Sequence, residues 1–213
     1  CADYPRGFKG GSLLSQLMEL REQLVLASKR AYHRGIQTGS GGNVSARIPG
    51  REQMLVKASG SSFEDSTTDG FIVTDFDGIL VEGAGKPTRE ALLHGYLYRL
   101  CPWIGAVVHV HSPYAIGWAS TGKPLPCLTL HAQLKLGTDI PTLDIPSPMV
   151  RAEDFPLIQA MYKNHPELPA FLLVDHGVVA VAKDAINAEH TAELIEETAQ
   201  IAYLKAIAKK LEL

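Results

Sequence analysis

Two histidines on one short apolar run are the first residues of this sequence that could do chemistry. Ala106-Val107-Val108-His109-Val110-His111 is apolar and β-branched apart from them. A strand repeats every second residue, so His109 and His111 leave the same face and can point at one centre. Such a pair is either two metal ligands or two structural imidazoles. His176, in Asp175-His176-Gly177, is a third candidate at a break between two apolar runs, where Gly177 permits close backbone approach. Three neutral imidazoles preserve the charge of a divalent ion and leave a coordination position open, which suits Lewis-acid catalysis. Zn2+ is the first expectation, and Mn2+ or another first-row ion fits the same ligands.

Glu90 and His94 are four apart just before that strand. They read either as a solvent-exposed helical pair or as a carboxylate at the mouth of the metal site. In the second case Glu90 could ligate the resting metal or move a proton on the substrate. A helix start favours its anion while burial opposes it. Gly42-Asn43 with Ser45, and Ser59-Gly60, are short loops dense in backbone donors and hydroxyls, able to cradle a phosphate or carboxylate. Thr88 and Arg89 add a third donor set directly before Glu90, and arginine there offers bidentate recognition of an anion.

These residues need a scaffold, and the chain supplies one in alternating pieces. Ser12 can cap a helix running to about Thr38 with Leu13, Leu17, Leu20, Leu24, Ala27 and Ala31 inside. Residues 1–11 read as a loose arm. Strands follow at Val44–Ile48, Met54–Ala58, Phe71–Asp75 and Ile79–Val81, the last two joined by an Asp77-Gly78 hairpin signal. Thr88 can cap a helix that Pro102 stops, and after the histidine strand a short helix runs from Pro113 to Ser120. The proline-rich region 121–153 reads as loop with a short strand at Thr142–Ile145. A helix at Asp154–Lys163, strands at Ala170–Val174 and Val178–Ala182, and a long helix from Asp184 to Lys210 complete the chain. The last helix should bury Ala188, Ala192, Ile195, Ala199, Ala202 and Ile207. The hairpins argue for a mixed or mostly antiparallel sheet covered by helices on both faces.

The 213 residues are expected to form a single domain spanning 1–213, with 46% apolar and 20% charged residues. A formal charge of -3 with scattered basic residues argues against a nucleic-acid partner. Three widely spaced cysteines fit a reducing, cytoplasmic setting. No signal peptide or membrane span is expected, since Asp3 and Arg6 interrupt any early apolar run. The chain opens on Cys1 rather than methionine, so its first residues are expected to be trimmed or missing.

Taken together, Gly42-Asn43-Val44-Ser45-x-Arg47, Ser59-Gly60, Asp75-x-Asp77-Gly78, Lys86-Pro87-Thr88-x-Glu90-x-x-x-His94, His109-Val110-His111-Ser112 and Asp175-His176-Gly177 resemble the class II aldolase/adducin family over roughly residues 12–205. The resemblance implies a three-layer α/β/α sandwich around a mostly antiparallel sheet, and a cyclic homotetramer with active sites at subunit interfaces. It places the metal on His109, His111 and His176, and the catalytic carboxylate, a possible fourth ligand of the resting site, on Glu90. It places an anionic substrate, a phosphate or carboxylate, on Gly42, Asn43, Ser59, Gly60, Thr88 and Arg89. Two departures are visible. Sugar-phosphate aldolases and epimerases of the family typically carry Ser-Ser or similar where this chain has Thr88-Arg89, and a basic second residue is similar to the decarboxylase branch. The loop Leu125–His131 also lacks the tyrosine of the fuculose-phosphate-type aldolases, as does the end of the chain, leaving His131 as an auxiliary acid or base.

The common chemistry is an electron sink for a broken C–C bond, which a divalent ion supplies by stabilising an enediolate. The leading expectation is therefore a metal-dependent carbon–carbon lyase of aldolase type acting on a small phosphorylated sugar or hydroxy-keto compound. A decarboxylase of a sugar-acid phosphate or aromatic acid comes second and a sugar-phosphate 4-epimerase third. A non-enzymatic, adducin-like oligomerisation module is the reading from a different class.

Overall fold

The computed structural model describes residues 12–212; the expected N-terminal arm lies outside them. Helix α1 (Leu13–His33) starts where the Ser12 hydroxyl accepts the Ser15 N–H, and buries Leu20, Leu24, Ala27 and Ala31. It stops five residues short of the expected Thr38. Gly35 adopts φ +72°, and the N–H groups of Ile36 and Gln37 turn back to the Ala31 carbonyl. Leu13 remains partly exposed.

One eight-stranded sheet follows, in the order β4-β3-β2-β1-β5-β8-β7-β6. Its strands are β1 (Asn43–Arg47), β2 (Gln53–Lys57), β3 (Phe71–Asp75), β4 (Leu80–Glu82), β5 (Ala106–Val110), β6 (Thr142–Leu143), β7 (Ala170–Leu173) and β8 (Gly177–Ala182). Every pairing is antiparallel except the short β6–β7 pair. The β3–β4 hairpin is tied at its turn by the Asp75 carboxylate, which accepts the N–H groups of Asp77 and Ile79.

Apart from its exposed edge strand β4, the sheet is covered on both faces. Val44, Ala46, Val108, Val110, Leu172 and Ala180 pack beneath α1, α3 (Pro113–Ala119), α4 (Leu130–Leu136) and α6 (Ala185–Lys210). Met54, Val107, Phe171, Val179 and Val181 pack beneath α2 (Ala91–Leu100) and α5 (Phe155–Asn164). This is the three-layer α/β/α sandwich with a mostly antiparallel sheet.

Three local expectations are corrected. Thr88 does not cap α2; the helix begins at Ala91 with Glu90 at its N-cap, so Glu90 precedes the first turn. The 121–153 region contains a helix, α4, because the Thr129 hydroxyl caps the Ala132 N–H and Gly137 ends it at φ +73°. Ile207 is exposed near the end of α6 instead of buried. No helix among the described residues is long and apolar enough to cross a membrane.

Candidate metal centre and anion cleft

The centre is built at the end of β5 beside β8. His109 sits on the α2 face of β5, opposite Val179, and is fully buried. Its Nδ1 lies 2.9 Å from the Val178 carbonyl. A carbonyl can only accept, so Nδ1 carries the proton and Nε2 keeps its lone pair for an ion. His111 follows one residue past the strand. His176 reaches the same point from the β7–β8 turn, where Asp175 takes φ 52°. Gly177 makes the approach possible, because a Cβ there would collide with the Val110 carbonyl. The close approach expected at this glycine is present.

The three imidazoles converge on one point. Nε2 of His109 lies 3.1 Å from Nε2 of His111 and 3.3 Å from Nε2 of His176. Ligands about 2.1 Å from a tetrahedral ion stand about 3.4 Å apart, so these separations fit one divalent ion. The ligating atoms of all three histidines lie within 4.8 Å of one another. Burial lowers the pKa of His111 to about 4 and that of His176 as well, against the pull of Glu90. Both imidazoles are therefore neutral and able to ligate at neutral pH. The protein presents a three-histidine cluster suited to a divalent metal.

Glu90 stands beside the cluster. Its Oε2 lies 3.2 Å from His109 Nε2 and accepts the Asn43 side-chain amide at 3.1 Å, while Oε1 faces the Val150 N–H at 3.4 Å. The carboxylate is nearly fully buried, which overturns the solvent-exposed reading. Burial alone would raise its pKa; His109, His176 and the Asn43 amide outweigh that and hold it down to about 2.

Two matched stripes place Glu90. On β1 every second residue, Asn43, Ser45 and Arg47, faces α2. Along α2 and its N-cap every fourth residue, Glu90, His94 and Tyr98, faces back. Two strand residues advance about 6.7 Å and four helical residues about 6 Å, so the stripes stay in step. Asn43 holds Glu90; Ser45 Oγ lies 2.7 Å from both His94 Nδ1 and the Tyr98 hydroxyl. Arg47 stacks 5.1 Å from the Tyr98 ring and donates to the Tyr98 and Ile104 carbonyls.

A cleft of about 270 Å³ opens onto the centre. Gly42, Asn43, Ser59, Gly60, Thr88, Arg89 and Glu90 all line it with His111 and His176, so the three donor sets do meet. His131 does not line it; it stands exposed on α4. Lys57 was not singled out from the sequence, yet it lines the cleft from the end of β2. Its ammonium donates to the Ser61 carbonyl beneath the Ser59-Gly60 loop, and burial lowers its pKa to about 8. A lysine closing a strand just before a Ser-Gly turn was the available signal.

Comparison with known proteins agrees with this geometry. The family model described as Class II Aldolase and Adducin N-terminal domain matches residues 22–203. The chain belongs to the class II aldolase/adducin family. An L-ribulose-5-phosphate 4-epimerase, UlaF, of Salmonella paratyphi C is 34% identical over 196 residues, covering 88% of this chain and 86% of the relative. Among solved structures, an L-fuculose 1-phosphate aldolase superposes with a TM-score of 0.78 at 26% identity, covering 88% of this chain and 86% of that one. YgbL of Klebsiella pneumoniae superposes with a TM-score of 0.75 at 28% identity, over 88% and 90% of the two chains.

Proposed function

We propose that this family member is a divalent-metal-dependent enzyme that inverts a hydroxyl-bearing carbon of a small ketose phosphate by breaking and re-forming a C–C bond. The observation that carries this reading is the 34% identity, over most of both chains, to the L-ribulose-5-phosphate 4-epimerase of Salmonella. It moves epimerisation ahead of the aldolase and decarboxylase reactions that the sequence alone placed first. All three need the same electron sink, which is why the metal cluster by itself does not separate them.

His109, His111 and His176 would hold the ion, Zn2+ or Mn2+ by ligand type. When bound, the ion draws electron density from a carbonyl and its neighbouring hydroxyl. The Glu90 carboxylate, anionic and beside His109, takes the proton of the hydroxyl on the carbon to be inverted. The bond between that carbon and its neighbour then breaks, leaving an aldehyde and an enediolate. Rotation of the aldehyde and re-addition return the proton to oxygen with the opposite configuration. Lys57, Arg89, Thr88 and the Gly42-Asn43 and Ser59-Gly60 loops grip the phosphate away from the reacting bond. Decarboxylation remains a second reading because Arg89 places a cation where a carboxylate could be held.

The proposed assembly is a homotetramer. Leu130 and Leu134 on α4, Leu204 on α6 and Leu211 just past its end are more than half exposed and support a contact between copies. His131 stands on the same exposed helix and by this reading serves a neighbour's cleft.

The test is to load the protein with Zn2+ or Mn2+ and follow L-ribulose 5-phosphate by NMR. Appearance of D-xylulose 5-phosphate is the expected result. Accumulation of dihydroxyacetone and glycolaldehyde phosphate without the epimer would replace this reading with an aldolase. Release of carbon dioxide from sugar-acid phosphates would replace it with a decarboxylase. Failure to bind any divalent ion would favour the adducin-like module.

A further inference from the structure

Gln37 is buried to 1% exposure although it lies in the connection between α1 and β1. Its two amide atoms are committed in opposite directions. Oε1 accepts the backbone N–H of His111 at 2.9 Å, and Nε2 donates to the Thr38 carbonyl at 2.7 Å. The N–H of His111 can only donate, which fixes the orientation of the amide. The amide plane is pressed against the glycine loop. A Cβ on Gly41 would stand 2.9 Å from Gln37 Nε2 and 2.8 Å from Nδ1 of the His111 ring. A Cβ on Gly42, which holds φ +65°, would collide with Gln37 Oε1 and approach the His109 carbonyl to 2.9 Å. The next residue, Asn43, holds Glu90.

Each residue of the Gly41-Gly42-Asn43 loop therefore packs on a different part of the metal centre, and Gln37 clamps the loop to the end of β5. His111 lies beyond the last residue of the strand, where the β5–β8 register no longer constrains it. We propose that Gln37 is a positioning residue that seats His111 as a metal ligand, with Gly41 as the matching half of the seat. The clamp acts on the ligand through its main chain and ring face, so its loss changes how the ion is held and not only how stable the fold is.

The inference rests on the metal reading above, and the experiment separates the two. Co2+ serves as the probe, with affinity measured by titration and coordination read from its visible absorption. If the native protein binds no Co2+, the metal reading fails and this inference with it. If it does bind, Gln37→Leu, which puts an apolar side chain at the same position and leaves the His111 N–H unpaired, is expected to weaken Co2+ about tenfold and alter the absorption bands. Gly41→Ala attacks the same seat from the other side and should also weaken Co2+ about tenfold. Melting curves identify any variant that does not fold, and the folded variants decide. Native affinity and spectrum in Gln37→Leu overturn the proposal, or in Gly41→Ala if the leucine variant is not folded.

Discussion

The Ser45 hydroxyl and Nδ1 of His94 lie 2.7 Å apart at the buried contact between β1 and α2, and Nε2 of the same imidazole has no hydrogen-bond partner among the described residues. Burial lowers the pKa of His94 to about 3 from an ordinary 6.5, despite the opposing pull of Glu90. A neutral, half-satisfied imidazole is thus built into the layer beneath the Glu90 carboxylate, and it has measurable consequences.

Below the ordinary histidine pKa the unfolded chain takes up a proton at His94 that the folded chain refuses. Stability contributed by the neutral imidazole is present above about pH 6.5 and is lost as pH falls toward about 3. The expected slope from this one group is about 1.4 kcal/mol per pH unit within that window. Urea unfolding of the metal-free protein between pH 7 and 4.5 measures it. His94→Gln is expected to flatten the slope; an unchanged slope would show that the protons bind elsewhere.

Glu90→Gln keeps the volume of the side chain and removes its charge. Turnover is expected to fall by roughly 10² to 10⁴, the range for loss of a general acid or base, with the variant still folded. Because the carboxyl is held down to about 2, its titration should add no acidic limb to the rate profile of the native enzyme above pH 4. A loss of less than about threefold in Glu90→Gln would remove this carboxylate from the chemistry.

Lys57 titrates near 8, so its positive charge is present below that pH and disappears above it. The KM for a phosphorylated substrate is expected to climb as pH rises through about 8, with kcat less affected. Lys57→Met should remove that climb and raise KM at pH 7. Arg89→Ala should raise KM by about tenfold, consistent with about 1.5 kcal/mol for a charge-assisted bond. Initial-rate measurements across pH 6.5 to 9.5 separate the two cations.

Leu130 and Leu134 project from one side of α4 with 85% and 79% of their surface exposed. Replacing both with glutamate should cost little in a monomer, because neither touches the core. In a tetramer it should lower the mass seen by light scattering, while Co2+ affinity stays near native unless the neighbour shapes the centre. An unchanged mass would remove α4 from the interface.

Much of the centre was legible because it follows the chain's own periodicities. His109 and His111 obey the strand repeat, Gly177 marks a tight approach, and Asp75 to Gly78 forms the turn its residues suggest. What stayed hidden depends on contacts far apart in sequence. The alternation Asn43, Ser45, Arg47 is what a half-exposed strand would show, yet α2 covers that face and makes the polar residues the site's inner support. Gln37 looked like the last turn of a helix, because a glutamine gives no local sign that it will accept a hydrogen bond from His111. The capping threonine and closing glycine of α4 were both present, but the prolines around them obscured a helix of two turns.

The antiparallel pairing of β5 with β8 brings His109 and His111 beside His176, which are remote along the chain and cannot meet until that pairing exists. An ion that requires all three can bind only the assembled sheet, so free metal enters the folding equilibrium as a ligand of the native state alone. Each tenfold rise in its concentration above Kd would add about 1.4 kcal/mol to the stability of the sheet centre.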